Sequence, residues 1–499
     1  MLLYCSAYFL QRSECVQVIL GSLVTFFFTY FFYGWASLQA LLEADGVYLA
    51  VCVPEEPLCL ERTSRMILLF TVDNLVTVAT AATLSMAVDV VGPALLALLG
   101  GCVQAAALLL MAFSTGSAET PLDGFLVAFI LSGVGGAALM VQAMKLAFAI
   151  QPRYFALVMT AINVLVDSSA VTPLGLYRLY LAGISRFAIF AGYGITCLAL
   201  SLSLAFCWSG SPMCILKALN AEELKAVESS AQAEADVLEP KNSSSSSRPR
   251  LHGLPVRDQV CSLEFAFAGV FLMTQLFRSN AYLGINKDLL QSLGDAERDN
   301  LYTQIFSALL PASALLLPLF DFCMTRGGFV FTFSIVLALG LVWGIITLIP
   351  SLELQLVAFV AFTNYRALLF GVFFTFLGHS FGNRTFGRIS SLCFFLSASL
   401  SWLIWPCTNI SKQLTGDLTA MNFFLLSLGV LPIWMTILLA RHLKQFPTGD
   451  VSILRGSANN KGMAAGKFDS VFVGSPREVP TPKRSGWRWG RCLQTCFVA

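Results

Sequence analysis

The sequence predicts an all-α polytopic membrane protein with twelve spanning helices in two halves of six. Three observations carry this reading. First, 57% of the 499 residues are hydrophobic and only 12% are charged, against about 25% charged in a soluble globular protein. The chain therefore lacks the polar surface needed to face water all round. Second, its apolar residues gather into segments of roughly 20, the length that crosses a bilayer as a helix. Third, these segments form two groups of six around a soluble stretch.

Residues 1–15 have no basic start, and the apolar run after them is too long for a cleaved signal peptide, so they read as a cytosolic lead. The N-terminal half covers 16–207, with spans near 16–42, 66–88, 94–113, 122–149, 155–176 and 184–207. Residues 208–260 form a cytosolic linker. It opens on the charged, helix-like LKALNAEELKAVESSAQAEADVLEP and continues into KNSSSSSRPR, which is flexible by composition. The C-terminal half covers 261–441, with spans near 261–285, 302–322, 329–349, 354–377, 389–410 and 419–441. The tail, 442–499, is rich in Gly, Pro, Lys and Arg and reads as disordered. Most of the 31 Lys and Arg fall on the side of the termini, which puts both ends in the cytosol by the positive-inside rule. The plasma membrane is the default host.

Several function classes drop out. A net charge of +2 offers no basic domain for nucleic acid. His252, His379 and His442 lack metal-ligand spacing. No nucleophile–base pair stands out, so no enzyme, metal or cofactor is expected. The expected partners are a small-molecule substrate and the lipid bilayer. The glycine run in SGVGGAAL lies inside a span with no preceding strand, so it reads as helix packing and not as a nucleotide loop. Cys52 and Cys59 share one short polar loop on the outer side. They either close a disulfide, which an oxidising exterior permits, or remain two free thiols.

The polar residues inside spans carry the functional argument. Arg366 sits midway through VAFTNYRALLFGVFFTFLG. A guanidinium there costs about 2.5–3.5 kcal/mol on insertion scales, and arginine does not escape by losing its proton. Two explanations are open: a bidentate clamp on a substrate carboxylate, or a fixed ion pair with a carboxylate such as Asp167 or Asp73. Asp167 lies within the fifth span, one helical turn after Asn163 and beside Ser168. Spacing of four puts Asn163 and Asp167 on one face, where they line a cavity and receive an ammonium, or hold the bundle together. Proton coupling, if present, would run through Asp167. In the first span Gly34 permits close backbone approach and Ser37 offers a hydroxyl to a substrate, whereas Trp35 is a weaker candidate. Asp73 and Arg278 fall in the outer thirds of their spans, where they snorkel or pair. Lys145 reads as snorkelling.

The halves also echo each other: LSMAVDVVGP follows the second span with Asp89, and LPLFDFCMTRGG follows the eighth with Asp321. Two six-helix halves joined by a long cytosolic linker resemble the plan of the major facilitator superfamily, whose halves rock around a midplane site. Within it, several stretches resemble the sodium-independent L-type amino acid transporters of solute carrier family 43. These are YGWASLQALLEADGVY, FAIQPRYFALVMTAINVLVDSSAVTPL, YLGINKDL, YTQIFSALLPASALLLPLFD, and NYRALLFG with FGNRTFGRISSL after it. They span both halves but neither linker nor tail. The resemblance implies facilitative, sodium-independent transport of large neutral amino acids by alternating access, with Asp89, Asp321 and Arg326 as gating residues. Val90 and Val91 depart from it, standing where that family usually has a basic residue, while Arg326 is kept. The rival expectations are a carrier of cationic amino acids, nucleosides or another organic solute, and a solute sensor that does not transport.

Overall fold

The computed structural model describes residues 16–52, 59–116, 123–149, 155–210, 251, 254–312 and 317–445. The predicted N-terminal lead, the tail beyond 445 and most of the predicted linker lie outside these residues.

The first span is two helices, α1 (Val16–Phe28) and α2 (Trp35–Ala44), joined through a 3-10 turn at Phe31–Gly34 and bent by 43°. α3 (Leu60–Val91), α4 (Pro93–Phe113) and α5 (Gly124–Ala149) are long single helices. The fifth span is again broken, into α6 (Phe155–Ser168) and α7 (Val171–Leu181), and α8 (Arg186–Gly210) completes the first half. The second half opens with the short α9 (Val256–Val260) and the long α10 (Leu263–Ser292). α11 (Leu301–Leu309), α12 (Leu317–Ile346) and α13 (Gln355–Phe381) follow. α14 (Asn383–Ser401), α15 (Ile404–Thr415), α16 (Thr419–Leu428) and α17 (Val430–Gln445) complete the chain of helices. Among the described residues eight helices are long and apolar enough to cross a membrane, or nine if α1 and α2 count as one bent span. α10 falls short by composition, since Glu264, Arg278, Lys287 and Asp288 dilute its apolar surface.

Local chemistry sets the boundaries. Ser262 caps α10 by accepting the Phe265 N–H at 3.2 Å. Pro93 starts α4, where its missing N–H is harmless. The repeat read from the sequence recurs in the backbone. Gly92 (φ 82°, ψ 153°), three residues after Asp89, ends the second span, and Gly328 (φ 68°, ψ −170°), seven residues after Asp321, interrupts α12. Only glycine enters that region freely. The expected loop between spans at 302–322 and 329–349 is thus a one-residue break inside a helix.

Inside the first half, the glycine run of α5 brings three neighbours close. A Cβ at Gly136 would collide with the Thr29 carbonyl, one at Gly135 would sit 2.6 Å from the Gln104 nitrogen, and one at Gly133 would sit 2.9 Å from the Asp73 carbonyl. Small residues here let backbones meet.

The end of the bundle that carries the loop after α2 is tied down by polar contacts. Arg62 donates to the carbonyls of Glu43 (2.7 Å) and Val47 (2.9 Å), and Arg186 bridges Asp45 (2.5 Å) to the Ser114 carbonyl (2.7 Å). Tyr48 donates to Asp123, and burial together with that carboxylate pushes its hydroxyl above the ordinary tyrosine range. Cys52 and Cys59 are joined by a disulfide over a sequence separation of 7. For so short a loop the chain-entropy model gives about 2.5 kcal/mol. Cys52→Ser is therefore expected to loosen this loop by that order, read as faster proteolytic cleavage between residues 45 and 60 with the tryptophan fluorescence of the helical bundle unchanged.

Candidate functional site

The two broken spans of the first half meet. Ser169, at the break between α6 and α7, donates from Oγ to the Tyr30 carbonyl at 3.1 Å, at the break between α1 and α2. A Cβ at Gly34 would collide with the Ala170 carbonyl, so glycine at 34 is what lets the breaks touch. At membrane depth unwound backbone is tolerated only beside a cavity or buried in protein, which makes the two touching breaks a candidate ligand site. Two residues from these breaks, Tyr33 and Asp167, face the second half.

Arg366 comes from α13 to meet them. Its Nε donates to Asp167 Oδ1 at 2.9 Å, its Nη1 to Ser279 Oγ at 2.7 Å, and its guanidinium carbon lies 4.0 Å from the centre of the Tyr33 ring. Arg366 is 2% exposed and Asp167 5%. The Nη2 nitrogen has no hydrogen-bond partner among the described residues. Of the two explanations for a mid-span arginine, the structure displays the ion pair, and it crosses from one half to the other.

On one side of this pair lies a cavity of about 50 Å³ lined by both halves, including Tyr30, Asn163, Phe370, Phe374 and Ser390. A water needs about 10–15 Å³ by this measure, so the space holds a few waters and no leucine-sized solute. It runs from Arg366–Asp167 towards the end where α8 finishes and α9 begins, here termed the linker end. There the halves approach again, and a Cβ at Gly387 would lie 3.9 Å from the Ser85 carbonyl.

On the other side, towards the disulfide end, a ladder of polar contacts joins the halves. Asn280 donates to Asn74 at 2.7 Å, and Ser37 and Ser307 share a hydrogen bond of 2.8 Å. Gln39 donates to Asp288 at 2.8 Å, Lys287 pairs with Glu43, and Lys412 holds Asp288 at 2.7 Å. All four charges are mutually compensated, so the closed mouth buries no net charge. The sequence reading misses Glu43, Lys287, Asp288 and Lys412 as a group, although polar residues near the end of the seventh span are a visible signal.

The sequence-predicted residues therefore separate. Asn163 and Asp167 line the cavity, as does Tyr33, which the sequence reading passes over, and Arg366 joins them through its bond to Asp167. Ser168 is buried at the end of α6. Ser37 is fully buried against Ser307, so in this conformation it belongs to the interface between the halves and not to the cavity wall. Neither Asp73 nor Arg278 snorkels: they are 0% and 1% exposed, inside their respective halves. The side chains of Asp89, Asp321 and Arg326 lie outside the described part of the structure. Among the described residues no group of three His, Cys, Asp or Glu side chains is placed to hold a metal ion.

The serine contact supplies a direct test of how the halves meet at the disulfide end. Ser37→Cys with Ser307→Cys is expected to cross-link under mild oxidation, read as a reduction-sensitive shift in gel mobility. A double variant that folds but does not cross-link would mean that these two positions do not face each other.

No protein-family model matches the chain. It is 28% identical over 189 residues to the large neutral amino acids transporter small subunit 3 of Homo sapiens. That match spans 34% of this chain and only 33% of the relative's length. Among solved structures, the human organic anion transporter MFSD10 (TETRAN) superposes with a TM-score of 0.58 at 14% identity, over 85% of this chain and 99% of that one. With its helices and its two halves, the chain has the major facilitator fold.

Proposed function

We propose that the chain is a membrane transporter that moves amino acids, most readily large neutral ones, by alternating access between its two halves. The observation that carries this reading is the buried Arg366–Asp167 pair, placed between the halves, at broken helices, with an aromatic cavity beside it. A zwitterion has one group for each partner. Its carboxylate takes Arg366, whose Nη2 is already unpartnered, and its ammonium takes Asp167 with Asn163 one turn away. Phe370 and Phe374 give an apolar side chain a surface to bury. The partial likeness to a large neutral amino acid transporter supports the same cargo.

Transport would be facilitative and independent of sodium. With Arg366 and Asp167 neutralising each other when the site is empty, the unloaded site between the halves carries no net charge to hold the carrier on one side. The plasma membrane, with both termini in the cytosol, is the setting that fits the distribution of basic residues.

A second reading, a carrier of organic anions without an amino group, is favoured by one observation: Arg366 keeps Nη2 without a hydrogen-bond partner among the described residues, and a carboxylate alone is enough to fill it. Uptake of labelled solutes into proteoliposomes separates the two. A panel of leucine, phenylalanine, lysine and a monocarboxylate, with and without sodium and a pH gradient, is expected to give saturable, sodium-independent uptake of leucine or phenylalanine. Uptake of the monocarboxylate alone would favour the second reading, and no flux from folded protein would sink both.

A further inference from the structure

Arg278 is the least explained residue in the membrane interior. It is 1% exposed, and its hydrogen bonds go to two neutral oxygens, Gln275 Oε1 at 3.0 Å and the Gly340 carbonyl at 2.8 Å. The guanidinium lies 5.2 Å from the Trp343 ring centre, and Nε has no hydrogen-bond partner among the described residues. A slot is kept for it. A Cβ at Gly340 would lie 3.2 Å from Nη1, and one at Gly429, where the last span breaks between α16 and α17, would lie 3.0 Å away. These contacts point it into the second half, away from the cavity, so it does not meet substrate.

A charge buried without an anion is expensive, and its one hydrogen bond to a side chain is with Gln275. Tyr365 donates to the same Gln275 Oε1 at 2.8 Å and to the Gln275 carbonyl at 3.0 Å. Two donors aimed at one oxygen fix which way the Gln275 amide points. Tyr365 directly precedes Arg366, and the next turn of α10 supplies Ser279 and Asn280, both of which accept from Arg366 Nη1 (2.7 and 3.5 Å). One turn of α10 and one of α13 are thus fastened twice, by Arg278–Gln275–Tyr365 at the back and by Ser279 and Asn280 on Arg366 at the front.

We propose that Arg278 is a positioning residue, which acts through Gln275 and Tyr365 to hold Arg366 in register with Ser279 and at the angle that presents its free nitrogen to a substrate carboxylate. This role rests on the amino-acid reading above. Without Arg278, the Gln275 amide is free to turn its Nε2 towards Tyr365, the register between α10 and α13 loosens, and the clamp blurs while the fold persists.

The test compares Tyr365→Phe and Arg278→Met with the wild type in proteoliposomes. It reads KM and maximal rate for labelled leucine, the preference for leucine over leucinamide as a competitor, and the thermal midpoint. Both variants are expected to raise KM about tenfold, the worth of one buried hydrogen bond, and to shrink the leucine preference about as much. Maximal rate is expected to stay within about twofold. Tyr365→Phe removes a single hydroxyl and so decides the question even if Arg278→Met folds poorly. An unchanged KM and preference with only a lowered midpoint would make the brace structural and overturn the proposal. A wild type that takes up leucine without preferring it to leucinamide would sink the carboxylate clamp itself, and this role with it.

Discussion

Arg366→Met is expected to reduce saturable uptake on the order of 100-fold or more, the scale seen when one partner of a buried, hydrogen-bonded charge pair is truncated at a binding site. The substitution removes the donor offered to the substrate carboxylate and also strands Asp167, which is 5% exposed and bonded to Arg366 at 2.9 Å. Breaking a buried pair from one side costs about 3–5 kcal/mol, so stability falls as well. Flux must therefore be normalised to folded protein by size-exclusion profile and thermal midpoint. Uptake within severalfold of wild type, in protein that folds, would remove Arg366 from the site.

In the proposed carrier, Asp167→Asn is expected to separate exchange from net uptake. The empty wild-type site is neutral because Asp167 balances Arg366. In the variant the empty site keeps an unbalanced guanidinium between the halves, and moving it without an anion is costly. Bound substrate brings its own carboxylate and restores balance, while the amide that replaces the carboxylate still offers an oxygen to the ammonium. Exchange against internally loaded substrate should persist, and net uptake into empty vesicles should fall by about tenfold or more, since each 1.4 kcal/mol of unfavourable return is roughly a factor of ten. The comparison needs only preloaded and empty proteoliposomes. Equal losses in both would show that Asp167 acts in binding and not in balancing the empty carrier.

The parts of the structure that are legible in the sequence are those that depend on one helix at a time. Apolar runs of spanning length give the helices, because each must satisfy its own backbone inside the bilayer. The paired Asp89 and Asp321 segments give the internal repeat, and its glycine turns at 92 and 328 share a backbone conformation. Asn163 and Asp167 at a spacing of four give a shared face, and Arg366 stands out against its apolar surroundings. Asp167 is one of two partners open to it.

What is not legible depends on which helices lie side by side. Tyr33 reads as one aromatic among many until its ring is found against Arg366. Glu43, Lys287, Asp288 and Lys412 come from the first, seventh and eleventh spans, and no period along the chain links them. Ser37 reads as a substrate residue because nothing in the sequence places Ser307 opposite it. Counting from span ends puts Asp73 and Arg278 near water, yet the packing around α3 and α10 leaves neither a route to it. The helix breaks at 29–34 and 169–170 are hidden as well, since the residues there continue an apolar run, and only the meeting of Gly34 with Ala170 gives the break its reason.

The most direct measurement is leucine uptake by the double variant Arg366→Met/Asp167→Asn beside the wild type and both single variants. Removing both charges leaves no stranded ion, and replacing a buried pair by neutral groups is often neutral for stability. The double variant is therefore expected to fold better than Arg366→Met and still to show no saturable uptake. Recovery of wild-type uptake in the double variant would contradict the central claim, because it would mean that the pair only fastens the two halves and that substrate binds elsewhere.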